Sequence, residues 1–161
     1  MRRSSRSRGT ISLYRIGDPR GAFPIFDAKG STLYPGRWNT SASPMIYCSE
    51  HYSTAMLEKL VYGNGQLPPN QHFIEITISN GVTYEMFNTA AVPDWYLASM
   101  ATSKPYGESW QQQQRSLLLI VPSIVARPEH NFLLNPQHPE FPQVATRLHQ
   151  PIWWDQRLFA P

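Results

Sequence analysis

His72-Phe73-Ile74-Glu75-Ile76-Thr77-Ile78-Ser79-Asn80-Gly81-Val82-Thr83-Tyr84 is the stretch that decides the fold. Phe73, Ile74, Ile76 and Ile78 set against Glu75 and Thr77 repeat nearly every second residue, the mark of a half-buried strand. Asn80-Gly81 suits a tight turn, so Val82 to Tyr84 reads as the return strand of a hairpin. Upstream, Ile11 to Ile16 reads as a strand broken by Asp18-Pro19-Arg20-Gly21, and Met45 to Cys48 as a short apolar strand. Between that strand and His72 lies the best-signalled helix, with Ser53 as N-cap and Gly63 as the C′ residue. Ala55, Met56, Leu57, Leu60 and Val61 supply its apolar face. Downstream, Asp94 caps a short helix through Trp95 to Met100. Ser103 to Gly107 reads as loop and Glu108 to Arg115 as a second short helix. Ser116 to Val121 is a buried strand, and Asn131 to Leu134 and Arg157 to Phe159 are further strands. Prolines at 122, 128, 136, 139, 142 and 151 remove backbone donors and argue against long helices in the second half. The pattern is a compact α+β domain, strand-rich with few short helices.

The chain's 161 residues, 41% hydrophobic and 12% aromatic, suit one globular domain with a core of its own. Cys48 is the only cysteine, so no internal disulfide forms, and no Cys/His cluster has zinc spacing. A cytoplasmic setting fits that usage. No apolar run approaches the length of a membrane span. The net charge of +3 comes mostly from Arg2, Arg3, Arg6 and Arg8 among serines. Residues 1–10 therefore read as a basic disordered tail ahead of a domain over residues 11–161. Nucleic-acid contact by the tail is the alternative; the near-neutral remainder is not a basic platform, and no direct nucleic-acid binding is expected. Walker, Gly-x-Gly-x-x-Gly and Gly-x-Ser-x-Gly patterns are absent, which argues against the usual nucleotide hydrolases, Rossmann oxidoreductases and serine hydrolases.

Five residues in short, distinctive contexts remain as candidates: Arg15, Arg37, Tyr47, Glu58 and Ser123. Arg37 follows Pro35-Gly36, where a glycine lets backbone approach a ligand, and its guanidinium can fork onto a phosphate. An exposed arginine stacked on Trp38 is the equal alternative. Arg15 lies within a strand, where an arginine either faces outward or needs a partner or ligand. Tyr47 reads as core tyrosine or as a ring that stacks on a pyridinium. Glu58 follows Ala55 by three residues, at the edge of the helix's apolar face. It reads as a solvated glutamate or as a carboxylate that steadies oxocarbenium character. Ser123 follows a buried strand and reads as a turn serine or a strand-end site residue. The five histidines show no metal spacing.

Leu13-Tyr14-Arg15, Gly36-Arg37-Trp38-Asn39, Tyr47, Ala55 through Glu58, Leu117 through Ser123 and Asn131 through Pro139 together resemble the RES-domain family. The resemblance runs from about Leu13 to Phe159. It implies a split sheet similar to that of ADP-ribosyltransferases, clasping NAD+ as substrate, with no metal. It further implies a toxin paired with an Xre-type antitoxin. Such a toxin consumes NAD+ by hydrolysis or phosphorolysis of the nicotinamide–ribose bond, or else ADP-ribosylates a protein. Carried over by motif, Glu58, Arg37 and Tyr47 would be catalytic, and Arg15, Arg37, Tyr47 and Ser123 would bind the dinucleotide. Pro35 departs from the second glycine many relatives carry there. A homodimer of the toxin, through Trp153-Trp154, is expected as a further partner, and a non-catalytic binding module is the rival reading.

Overall fold

The alternation read over His72 to Ile78 is realised as a strand over those seven residues, with Ile74, Ile76 and Ile78 buried. The computed structural model describes residues 4–66 and 69–159. Its strands are β1 (Ser5–Arg6), β2 (Ile11–Gly17), β3 (Ile46–Ser49), β4 (His72–Ile78), β5 (Thr83–Met86), β6 (Leu118–Pro122), β7 (His130–Leu134), β8 (Val144–Thr146) and β9 (Gln150–Pro151). They form one nine-stranded sheet in the order β1-β5-β6-β7-β3-β2-β4-β8, with β9 also on β4. Every pairing is antiparallel except β5 with β6. Among the described residues three α-helices interrupt the strands: α1 (Lys29–Leu33), α2 (Tyr52–Gly63) and α3 (Ser103–Gln112). The architecture is α+β, a strand-rich sheet with few short helices.

Period-two alternation sends side chains to both faces, and each face carries a core. Leu13, Ile46, Ile76, Leu118 and Leu134 belong to one cluster that runs beneath the whole sheet. Leu119, Val121 and Leu133 point the other way, where Trp38, Met45, Phe87, Trp95 and Trp110 cover them. Trp38, Phe87 and Trp95 meet edge-on or stacked at 4.7–6.5 Å. On that second face α2 covers β2 and β4 through Tyr52, which packs edge-on against Tyr14 and Phe73.

The sheet parts between β2 and β3. These strands share one register pair, Tyr14 opposite Ser49, whereas β2 meets β4 over seven, from Ile11–Ile78 to Gly17–His72. The rung that would put Ile16 opposite Tyr47 is not formed. Arg15 bridges the gap instead: its Nη1 donates to the Tyr47 carbonyl at 2.7 Å and its Nε to the Ile25 carbonyl at 2.5 Å.

Several expectations are corrected. Asn80-Gly81 does turn, with Gly81 at φ +87, but no hairpin follows. Both edges of β4 are taken, by β2 on one side and β8 and β9 on the other, so β5 pairs with β1 and β6 instead. Helix α2 starts at Tyr52 with extended His51 before it, not at a Ser53 cap, and continues through Gly63 to left-handed Asn64. The segment Trp95 to Met100 makes turns, not a helix. Helix α3 begins at Ser103, so Ser103 to Gly107 is helical rather than loop. Arg157 to Phe159 lies across the end of a 3₁₀ turn spanning Gln156–Leu158 rather than a strand. Within the expected disordered tail, Ser5–Arg6 pairs with β5. Arg6 Nη1 donates to the Gly81 carbonyl at 2.6 Å and to Glu140 at 3.1 Å. An otherwise open edge of β5 gives this segment its backbone partners. Arg2 and Arg3 lie outside the described residues. Trp153 is 78% exposed, but its neighbour Trp154 is buried and packs edge-on against Phe159.

Candidate functional site

Where the sheet parts, a cavity of about 630 Å³ opens, within the usual size of a small-ligand site. Arg15, Arg37, Tyr47 and Glu58 line it. Ser123 is fully buried behind the wall and touches Glu58. All five residues singled out in the sequence thus converge on one place.

Glu58 arrives there because of how α2 sits. The helix buries Thr54 and Ala55, and Glu58 lies three and four residues on, on the same face. The stripe read as apolar core reaches the surface in part: of its five residues Leu57 and Val61 are exposed, Met56 and Leu60 are half-buried and only Ala55 is buried, and Val61 lines the cavity. Two donors fix the carboxylate. Ser123 Oγ donates to Glu58 Oε1 at 2.9 Å, and Asn131 Nδ2 donates to the same oxygen at 2.7 Å. Among the described residues no hydrogen bond reaches Oε2. Ser123 Oγ in turn accepts the Ala126 N–H at 3.0 Å, and Ser49 Oγ donates to Asn131 Oδ1 at 3.0 Å. One oxygen of Glu58 is therefore anchored and the other is unengaged.

Tyr47 organises the loop that carries Arg37. Its hydroxyl donates to Asn39 Oδ1 at 2.7 Å and accepts the Trp38 N–H at 3.1 Å. Asn39 Oδ1 also accepts the Gly36 N–H at 2.8 Å, while its Nδ2 donates to the carbonyls of Ser31 and Thr40. Gly36 lies flat against the ring. A Cβ there would stand 2.8 Å from the hydroxyl and 2.9 Å from Cζ, so only glycine fits. Burial raises the Tyr47 pKa well above the usual tyrosine value, which keeps the phenol protonated and able to donate. Arg37 does not stack on Trp38. Its Nη1 donates to the carbonyls of Trp95 at 3.0 Å and Leu97 at 2.8 Å. Burial lowers its pKa, and so does nearby Arg127, yet a guanidinium remains charged. Burial likewise lowers the pKa of Arg15.

Two lining residues, Asn131 and Lys59, and one behind the lining, Asn39, were not assigned a role from sequence. Asn131 stood inside a noted motif, and its signal is a polar residue at the start of a strand, opposite Ser49 and Val121. Asn39 stood beside Arg37 in Gly36-Arg37-Trp38-Asn39. Lys59 follows Glu58 and gave no signal beyond its charge. With Arg15 and Arg37 it makes three cations on the lining against one carboxylate, Glu58. The lining therefore holds a positive surplus. Among the described residues no group of three or more His, Cys, Asp or Glu side chains is placed to hold a metal ion. No helix among them is long and apolar enough to cross a membrane.

Comparison with known proteins adds to this picture. The model of the family described as RES domain matches residues 12–155. "Prs ADP-ribosylating toxin" of Sphingobium sp. (strain YBL2) is 31% identical over 156 residues, covering 92% of this chain and 97% of the relative. "Toxin Res" of Yersinia enterocolitica is 34% identical over 139 residues, covering 81% and 88%. Among solved structures, a chain of the M. tuberculosis MbcT–MbcA toxin–antitoxin complex superposes with a TM-score of 0.68 at 13% identity. That match covers 91% of this chain and 86% of the other.

Proposed function

The chain belongs to the RES domain family, and from that premise we propose that it is a toxin enzyme that breaks the nicotinamide–ribose bond of NAD+. The observation that carries the reading is Glu58: one carboxylate oxygen held by Ser123 and Asn131, the other unengaged, in the wall of a cation-lined cavity. A dinucleotide brings a negative charge on each phosphate of its diphosphate, which the surplus of Arg15, Arg37 and Lys59 offsets. It also brings a ribose carbon that turns electron-poor as nicotinamide leaves.

In this mechanism nicotinamide needs no strong acid, because it departs from a pyridinium and takes the bonding pair of the broken C–N bond. The protein's task is orientation and charge. Arg37, anchored on the Trp95–Leu97 loop, faces the diphosphate, and Arg15 supplies fixed positive potential from the seam. Tyr47 presents the cavity side of its ring to nicotinamide and keeps the Arg37 loop in place. Glu58 Oε2 accepts a ribose hydroxyl and stabilises the cationic sugar, while Ser123 and Asn131 stop the carboxylate from turning away. Water then bonds to the sugar carbon and releases a proton, giving ADP-ribose; phosphate in its place gives the 1″-phosphate. Losing one such charge-stabilising group commonly lowers kcat about 10²–10³-fold.

A second reading is transfer of ADP-ribose to a protein side chain; the name of the Sphingobium relative favours it. In either case an antitoxin protein, of the Xre type by resemblance, would hold the enzyme inactive in the cytoplasm of the cell that makes it. The toxin–antitoxin title of the structural neighbour supports such a partner. Tyr34 and Tyr62, more than 80% exposed, flank the cavity and offer it a surface.

The test is to express the chain and Glu58→Gln without a partner and follow cellular NAD+, then repeat in vitro with NAD+ labelled in its adenylate half. A fall in NAD+ with wild type alone, with label in free ADP-ribose or its phosphate, supports breakdown. Label fixed on protein supports transfer. Unchanged NAD+ with wild type, and no label on protein, refutes both.

A further inference from the structure

Lys59 lines the cavity half-buried, yet among the described residues its ammonium makes no hydrogen bond and no ion pair. An unpartnered cation removed from water is costly unless something negative arrives to meet it. The carboxylate that acts on Lys59 is Asp18, and its Oδ1 already accepts from Asn70 Nδ2 at 2.7 Å and from the Arg20 N–H at 2.8 Å. Arg15 works in the opposite sense, repelling the ammonium.

The two arginines of the site are differently placed. Arg15 commits Nε and Nη1 to the carbonyls of Ile25 and Tyr47. Arg37 commits Nη1 to the carbonyls of Trp95 and Leu97. Both are pinned to backbone, so they shape potential more than they can reach. Among the described residues all three N–H donors of Lys59 are uncommitted, at the end of a flexible four-carbon stem. A compact point charge of this kind suits an oxygen of a phosphate.

Building on the dinucleotide reading above, we propose that Lys59 is a substrate-binding residue that makes direct contact with the diphosphate. The arginines set the field and Lys59 closes on the ligand. Burial lowers the lysine pKa, so an anion that pairs with the ammonium recovers what desolvation took away. Its contribution belongs to binding, since the diphosphate lies away from the bond that breaks.

Calorimetric titration with ADP-ribose, the phosphate-bearing product, tests this on wild type, Lys59→Gln and Lys59→Arg. The expected result is a Kd raised about tenfold in Lys59→Gln, the scale of one charge-assisted hydrogen bond, and largely restored in Lys59→Arg. For NAD+ turnover, KM should rise by a similar factor with kcat held. The penalty should shrink as salt is raised and the charge is screened. A Kd in Lys59→Gln within about twofold of wild type overturns the proposal, as does an equal loss in both variants accompanied by a fall in Tm. Wild type that fails to bind ADP-ribose at all would instead sink the dinucleotide reading on which the proposal rests.

Discussion

Gly107 lies on α3, outside the cavity lining but packed against Trp38, which is part of it, and Gly107→Ala should be among the most damaging conservative changes. A Cβ built there stands 1.8 Å from the Trp38 carbonyl oxygen, 2.8 Å from its carbonyl carbon and 3.1 Å from its Cβ. Two of these three neighbours are backbone, so no side chain can swing aside. To restore ordinary van der Waals distance, α3 and the Trp38 backbone must separate by about 1.6 Å at their closest point. Trp38 is buried and carries Phe87 and Trp95 with it, and Trp95 is one of the residues that hold Arg37. Overpacking of this kind sits at the upper end of its usual range, about 3 kcal/mol, which for a chain of this size lowers Tm by roughly 6–12 °C. Turnover should fall further than folding alone explains, because a displacement of about 1 Å at a positioning residue can cost about 10²-fold in rate. Differential scanning calorimetry gives the first number, and NAD+ consumption below the new Tm gives the second. Gly30→Ala is the control: its Cβ would meet only Phe23 Cδ2, at an ordinary 3.7 Å, and Tm should hold or rise slightly. A Gly107→Ala protein with wild-type Tm and turnover would refute this account of how α3 seats the Arg37 loop.

Tyr47→Phe removes a hydroxyl that joins Trp38 to Asn39, so stability should fall by about 1–3 kcal/mol and kcat/KM should drop with it; unchanged thermal melts and kinetics would show that the loop does not depend on that hydroxyl. Acid should weaken the fold in two stages around Glu140 and His138. Burial of Glu140 works to raise its pKa, but hydrogen bonds from the Thr83 N–H at 2.8 Å and hydroxyl at 2.7 Å, and from Arg6, outweigh it and leave it low. Its contribution is present above the usual glutamate value of about 4.3 and lost as pH falls through the lower folded value. Burial lowers His138, whose Nδ1 accepts the Glu140 N–H, so stability declines as pH drops from about 6.5 through the folded value, where the unfolded chain binds the proton more readily. Tm against pH should therefore fall with acid in both windows, and Glu140→Gln should flatten the lower one; a flat wild-type profile from about pH 7 down to about pH 2 would contradict this.

The strands were legible where alternation is local. Ile11 to Ile16, His72 to Ile78 and Asn131 to Leu134 carry their pattern in their own residues, and the structure extends each by at most one residue. Pairing was less legible, because it depends on which edges other strands have already taken. Asn80-Gly81 specifies a turn but not a destination, and β5 finds its partners across the sheet. Helix α2 misled in another way. Leu57 and Val61 look like core by spacing, yet they sit exposed near the cavity, while polar Thr54 lies buried, its hydroxyl donating to Glu129. The five candidate residues were readable because each stands in a distinctive short motif. Asn131 and Lys59 went unassigned because their surroundings come from across the fold: Glu58 and Ser49 bond the asparagine, and among the described residues nothing hydrogen-bonds the lysine.

The lone rung joining β2 to β3 gives the molecule a spine like that of a book, glued by grease along the back and open at the pages. On the core side, apolar residues from both halves cohere whether or not anything is bound. On the open side two like charges, Arg15 on the sheet and Lys59 on the helix, repel each other across the gap. On the proposed reading, a polyanion seated between those charges would turn the repulsion into mortar, and occupancy should then show as tighter binding of one half to the other.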